Sequence, residues 1–347
     1  MNTRLLPSLL AVCLQCLAVD QAVAQRPSSP IRVGALLPLT GDYAQYGQEL
    51  LRGVQLGADS ESAQIIAEDS GTMNTGSSLS AASRLVDIEK VDALLVLGSD
   101  DVQPLVGLGA RTAVPILSLW DNSASLSKMG DFVFSNGFSL EGTANLYATF
   151  GTKKLGARKA AIIGNQSAWS STIADEFVKQ FEQQGGAVVF QDAVPDDFSD
   201  FRSIVLKLSQ KKPDIIFLPL SLPATALQSI KQLRAAKVEV PIFATETFVG
   251  NTMTSLGPQA DGVFVGWIPQ PAVSITDKYK RKFGVAPSDP GVVEVGYSGV
   301  RKVLEAHLKH PDMVLKAALR EIFGASRRAT RSYHLYRAQS GKLIPVG

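Results

Sequence analysis

The residues of this chain best suited to chemistry sit in short polar segments, each directly after an apolar run. Tyr43 and Tyr46 lie in Pro38–Gly47, behind Ile31–Leu37. Ser99 opens Ser99-Asp100-Asp101 behind Ala93–Leu97, and Trp120-Asp121-Asn122 follows Ile116–Leu119. Later in the chain, Asn165–Trp169, Ser221-Leu222 and Thr245-Glu246-Thr247 stand in the same relation to Lys159–Ile163, Asp214–Leu218 and Pro241–Ala244. Hydroxyls and helix N-termini hold anions, a carboxylate holds a cation, and aromatic rings make walls. Together these groups suit the capture of a small polar molecule. Each also has an ordinary reading: Ser99 as a helix N-cap, Trp120 and Trp169 as core aromatics, Glu246 as solvated surface.

Signatures of catalysis are sparse. Gly107-Leu108-Gly109 precedes the run at Ile116 and has Thr112 where a dinucleotide fingerprint needs its third glycine. The sequence contains no G-x-S-x-G elbow and no G-x-x-x-x-G-K-[ST] phosphate loop. His307 and His310 lack the i,i+4 spacing and the glutamate of a zinc helix. A binder that is not an enzyme, with no cofactor and no metal, is therefore expected. The 34 basic and 32 acidic residues, a net charge of +2, argue against nucleic acid as a partner.

Residues 1–24 have the form of a cleavable secretory signal. Arg4 is followed by an apolar run, and Ala22-Val23-Ala24 makes a small-x-small cleavage pattern before Gln25. The run is too short to span a bilayer. Cys13 and Cys16, the two cysteines of the sequence, fall inside it, so the exported chain would contain neither disulfide nor thiol. A lipid anchor on Cys13 is disfavoured by Val12 before it. Cleavage removes Arg4 and Asp20 and leaves the charge at +2. The periplasm is the expected location.

From residue 31 the chain alternates short apolar strands with amphipathic helices. Strands are expected at Ile31–Leu37, Ala63–Glu68, Ala93–Leu97 and Ile116–Leu119. Helices are expected over Ala44–Asp59, Ser78–Ile88 and Val102–Arg111. A second series runs from a helix at Ala144–Phe150 through strands at Lys159–Ile163, Ala187–Phe190, Asp214–Leu218, Pro241–Ala244 and Gly262–Val265. Helices at Thr276–Phe283 and Gly291–His310 follow, then a hairpin around Ser340-Gly341. Short buried strands joined by helices imply parallel sheets covered on both faces, here twice. Ligands bind such sheets at the carboxyl ends of the strands, where the polar segments lie.

Five segments resemble the branched-chain amino-acid type of periplasmic binding protein, the substrate-binding subunit of ABC importers. They are IRVGALLPLTGDYAQYGQE (31–49), LVDIEKVDALLVLGSDDVQPLV (85–106), VPILSLWDNSASLSKMGDFVFSNGFS (114–139), FSDFRSIVLKL (198–208) and KPDIIFLPLSLPATALQSIKQLRAAKVEVPIFATE (212–246). The resemblance runs in order over residues 31–310. It implies the α/β type I periplasmic binding protein fold, two doubly wound parallel-sheet lobes joined by a three-segment hinge. Residues 31–145 with 271–325 would form one lobe, and 146–270 with 326–347 the other. It further implies a monomer that closes on an amino acid or a related carboxylate or amide and hands it to a permease in the inner membrane.

The resemblance also assigns a site. Ser99 and Asn122 would hold a ligand carboxylate, Glu246 an ammonium, Tyr46 the pocket wall and Trp169 its cover. The pattern is not followed throughout. Trp120 replaces a small residue, Asn122 a threonine and Leu222 a common tyrosine, while Asp121 adds a charge and Gly57–Gln64 is short. Trp120 flattens the pocket and favours a small or planar ligand, an amide or aromatic acid among them. The alternative is an envelope interaction protein on the same scaffold, of the kind that activates cell-wall synthases, with a degenerate cleft.

Overall fold

The computed structural model describes residues 30–58, 63–71, 75–269, 273–329 and 331–346. The expected signal segment, with Cys13 and Cys16, lies outside these residues, as does most of the connection between the first helix and the second strand.

The first series comprises β1 (Ile31–Leu37), α1 (Ala44–Gly57), β2 (Ala63–Asp69), α2 (Thr75–Ser83), β3 (Ala93–Val96) and α3 (Ser99–Thr112). Next come β4 (Ile116–Ser118), β5 (Asp121–Asn122), α4 (Ala124–Lys128), β6 (Val133–Ser135) and β7 (Phe138–Ser139). The second series opens with α5 (Leu140–Thr149), β8 (Lys159–Asn165), α6 (Ala168–Gln183), β9 (Ala187–Val194) and α7 (Arg202–Lys211). It continues with β10 (Ile215–Leu218), α8 (Pro223–Ala235), β11 (Ile242–Ala244), α9 (Asn251–Leu256) and β12 (Val263–Trp267). Helices α10 (Val273–Phe283), α11 (Pro290–Lys309) and α12 (Leu315–Phe323) precede the hairpin β13 (His334–Gln339) and β14 (Lys342–Pro345).

Two main sheets result, in the orders β2-β1-β3-β4-β6 and β14-β13-β12-β11-β10-β8-β9. The first is parallel throughout, and the second is parallel except for the terminal hairpin. The central strands β3, β4, β10 and β11 are buried at every residue, whereas edge strands β2 and β9 are largely not. Burial on both faces is what a helix-covered parallel sheet demands, and it explains why these strands read as continuous apolar runs.

The chain passes from the first sheet to the second after β7, since Leu140 and Ala144 of α5 already pack with Phe217 and Phe243. It returns after β12, because α11 packs its Val292, Val295 and Val300 with Leu50 and Val54 of α1. Glycines permit that helix contact. A Cβ at Gly53 would stand 2.1 Å from the Val293 carbonyl oxygen, and one at Gly296 equally close to that of Leu50. After α12 the chain crosses once more, to β13 in the second sheet.

The elements depart from the sequence-based expectation at informative places. The helix expected over Ser78–Ile88 starts at Thr75 and ends in a π turn, Arg84–Ile88. That expected from Val102 begins at Ser99, which brings its N-terminus to the edge of the cleft. The short α4, α9 and α12 and the strands β5, β6 and β7 were not anticipated. The small β5–β7 pair, Asp121 opposite Phe138 and Asn122 opposite Ser139, fixes the segment behind β4.

Candidate functional site

The carboxyl ends of β1, β3 and β4 face those of β8, β10 and β11 across a cavity. The centre of a water molecule can reach about 70 Å³ of it. At 10–15 Å³ for one water, that is room for roughly five to seven waters or one small organic molecule. Tyr43, Tyr46, Ser99, Asp100, Asp101, Trp120 and Asp121 line it from the first-sheet side, and Trp169, Ser221, Glu246 and Thr247 from the second.

The N-terminus of α3 is filled by the protein itself. One Asp121 carboxylate oxygen accepts the Ser99 backbone N–H at 3.0 Å and a short bond from the Ser99 hydroxyl. The other accepts the Ser118 hydroxyl at 2.7 Å. Gly98, which precedes Ser99, makes room, because a Cβ there would stand only 3.1 Å from Asp121 Oδ1. Ser99 is thus the first helical residue and not the N-cap, and it donates to a carboxylate from its own lobe. Asp101 adds a second carboxylate, accepting the Gly98 N–H at 3.2 Å.

The N-terminus of α6 is filled as well, from across the cleft. Asp100 Oδ1 accepts the backbone N–H groups of Ala168 and Trp169 at 2.9 and 3.3 Å. Side chains of the first-sheet side make further bonds across the cleft. Trp120 Nε1 donates to Glu246 Oε1 at 2.9 Å, and the Tyr46 hydroxyl donates to the Val249 carbonyl at 2.9 Å. The two sides are therefore clasped by the chain's own groups. Around the clasp the rings of Tyr46, Trp120 and Trp267 meet pairwise with centroids 6.0 to 6.4 Å apart. Gly137 makes this packing possible, since a Cβ there would lie 2.4 Å from the Trp120 carbonyl.

Carboxyl groups crowd this space, and among the described residues no lysine, arginine or histidine lines it. Burial pushes the Glu246 carboxyl up to about 7, with the Asp121 charge acting the same way and the Trp120 hydrogen bond opposing both. Burial, helped by the Asp100 and Asp121 charges, raises Asp101 to about 7. Burial and the Asp121 charge raise Asp100 to about 6. Asp121 is also raised, by burial, against the bonds from Ser99 and Ser118. Among the described residues no group of three or more acidic, histidine or cysteine side chains is arranged to hold a metal ion.

Of the residues singled out by sequence, Tyr46, Ser99, Trp120, Trp169 and Glu246 meet on this cavity. Asn122 does not line it; its amide nitrogen donates to the Ala329 carbonyl, beside the third crossing of the chain. Leu222 also stands outside the lining, as the N-cap residue of α8, while its neighbour Ser221 takes a place on the wall. Tyr43, Asp100, Asp101, Asp121 and Thr247 also line the cavity; the sequence marks them as members of the polar segments at the strand ends but assigns them no ligand role. Ser99 lines the cavity, but its donors already hold a carboxylate.

A two-sheet α/β molecule with its cleft at facing strand ends defines a class of ligand-binding proteins, and comparison places the chain within it. A family model described as periplasmic binding protein matches residues 30–317, and the chain belongs to that family, in its branched-chain amino-acid type. A Leu/Ile/Val-binding protein of Rhizobium johnstonii is 21% identical, over 94% of this chain and 97% of the relative. The leucine-binding protein LivK of Thermotoga maritima superposes with a TM-score of 0.81 at 18% identity, covering 91% of this chain and 98% of its own. A solute-binding protein of an ABC transporter from R. palustris, solved in complex with benzoate, gives 0.78 at 19% identity, covering 92% and 96%. At such identities the solved structures speak for the fold.

Proposed function

We propose that the protein is a periplasmic solute-binding protein, exported by a signal in residues 1–24, that closes on one small molecule and delivers it to an ABC permease. The observation that carries the reading is the cavity itself, walled by both sheets at their carboxyl ends and spanned by bonds that require both sides to be together. Such bonds bias a hinged molecule toward closure, and a ligand touching both walls adds to that bias. Residues 31–145 with 271–325 and residues 146–270 with 326–347 would move as units, the first crossing being drawn back to the start of α5. The protein acts by binding and release, as a monomer, with no chemistry on its cargo.

The ligand-binding residues proposed are Tyr46, Ser99, Trp120, Trp169 and Glu246, joined by Tyr43, Asp100, Asp101 and Asp121. The test is mass spectrometry of small molecules released from protein purified from its native envelope. Release of one compound that rebinds stoichiometrically is the expected result. An empty protein that instead pulls down a cell-wall synthase would establish the second reading, an interaction module on this scaffold. The clasp between Trp120 and Glu246, which engages the expected ammonium site, is what favours that alternative.

A further inference from the structure

We propose that the cavity takes a small organic cation lacking a carboxylate, a primary or quaternary amine, and excludes amino acids and aromatic acids. The inference rests on the solute-binding reading and concerns only what is bound. The argument is one of complementarity in a site enclosed by both halves of the molecule. A ligand carboxylate needs donors, and at the N-termini of α3 and α6 they are engaged: Ser99 of α3 by Asp121, and Ala168 and Trp169 of α6 by Asp100. With Asp101 and Glu246 also on the wall, a ligand carboxylate would enter a space that already holds four carboxyl groups and no lining cation. Like charges this close in a poorly solvated site repel strongly.

The rest of the lining suits a cation. Tyr43, Tyr46, Trp120 and Trp169 present aromatic surface to the same space, and the face of an aromatic ring attracts an alkylammonium group. Tyr46 and Trp120 stand nearly edge to face, centroids 6.0 Å apart at 65°. Glu246 enters from the opposite sheet, so a cation at the centre would touch carboxylate and ring from both sides. The space reached by a water centre, about 70 Å³, limits the ligand to a compact amine.

The experiment titrates the purified protein with matched pairs, read by calorimetry and tryptophan fluorescence: 3-methylbutylamine against leucine, benzylamine against benzoate, choline against glycine betaine. At least one amine is expected to bind ten or more times as tightly as its carboxylate partner. Glu246→Gln should weaken that amine tenfold or more. Asp121→Asn, checked for folding by its melting transition, should narrow the discrimination by a similar factor. Leucine or benzoate binding as tightly as its amine overturns the cation assignment and leaves the solute-binding reading standing. So does recovery of an uncharged or acidic ligand from the native protein. Unchanged discrimination in both variants overturns the roles given to these two residues. No binding by any compound, together with an empty native protein, removes the solute-binding reading and this inference with it.

Discussion

The N-termini of α3 and α6 at the cleft are both occupied by aspartates of the chain, yet they are occupied differently. Asp121 reaches Ser99 and Ser118 within its own sheet layer, so its bonds persist whether the molecule is open or closed. Asp100 leaves the first residues of α3 to receive the N–H groups of Ala168 and Trp169 on the other side, a bond that exists only when the halves meet. The first arrangement sets the permanent electrostatics of the wall. On the proposed closing motion, the second would act as a latch. A favourable carboxylate at a helix N-terminus contributes about 0.3–1 kcal/mol at exposed positions and up to about 2 when partly buried. The latch is thus of the size needed to tilt a hinge equilibrium without locking it.

The largest effect that separates the two is on global stability. Asp121→Ala leaves the Ser99 N–H and hydroxyl without their acceptor, each unpaired buried group costing about 1–3 kcal/mol, while the Ser118 hydroxyl keeps the backbone carbonyl of residue 121 at 3.0 Å. Because the buried charge is itself unfavourable, the net loss expected in urea unfolding is about 2 kcal/mol. Asp100→Ala should lose no more than about 1 kcal/mol, since water can replace the aspartate once the halves part. Equal losses in the two variants would break the distinction.

The pH dependence of the ligand-free protein comes next. Glu246 and Asp101 titrate near 7 and Asp100 near 6, above their unfolded values, so the native state binds more protons than the unfolded state between about pH 4 and 7. Their contribution is therefore a penalty that grows as pH rises through this window and is complete above about 7. Besides burial, the side chains that set the level of Glu246 are Trp120, whose indole N–H lowers it, and Asp121, whose charge raises it; neither is cationic. Carboxyls shifted the other way, such as Asp200 at about 2, act below the window. The melting temperature of the empty protein should fall from pH 5.5 to 8, as Glu246, Asp101 and Asp100 lose protons that the unfolded chain has already given up. In Glu246→Gln the slope should flatten, and a bound amine should reverse it. A flat profile in the native sequence would mean that the carboxyls are better solvated than the closed geometry shows.

Much of the architecture was legible because parallel strands buried on both faces leave a local trace, the apolar run, and the polar segment behind each run marks the cleft. Ile31–Leu37 and Ile116–Leu119 announce themselves in this way. Residues such as Asp121 do not. Its charge was visible beside Trp120, but its partner Ser99 is 22 positions away on a different strand end, and only the pairing of β3 with β4 brings them together. The same holds for Trp120 and Glu246, 126 positions apart. The helix α12 had a readable pattern in Leu315, Leu319, Ile322 and Phe323, whereas α4 and α9 are too short for periodicity to register.

The latch itself predicts a shift in shape more than in stability. Asp100→Asn keeps the hydrogen-bond acceptor and loses the charge, and Asp100→Ala loses both. Small-angle scattering of the empty protein should show a larger radius of gyration in the order Ala, Asn, native, with ligand affinity falling by about two- to fivefold, the equivalent of about 0.4–1 kcal/mol. The same radius in all three would mean that Trp120–Glu246 and Tyr46–Val249 hold the halves together without Asp100, and that the α6 cap is incidental to closure.

The smallest effect is expected at Leu222, where the resemblance to amino-acid binders suggested a place in the pocket. Its backbone is extended at φ −114°, ψ 135°, and it serves as the N-cap of α8 through its carbonyl, which accepts the Ala226 N–H at 3.0 Å. None of that depends on the side chain. The cavity wall at this point is Ser221, whose N–H is held at 2.6 Å by the Asn165 side chain, so the loop is fixed from behind. Leu222→Ala should leave ligand affinity within twofold and cost less than about 1 kcal/mol, since the leucine is only half-buried. Serine in place of Ser221's neighbour is less informative than alanine, because a new hydroxyl could recruit the loop. A tenfold loss in the alanine variant would show that the loop before α8 swings inward when ligand replaces the Trp120–Glu246 bond. The wall around a bound molecule would then differ from the wall around the clasp.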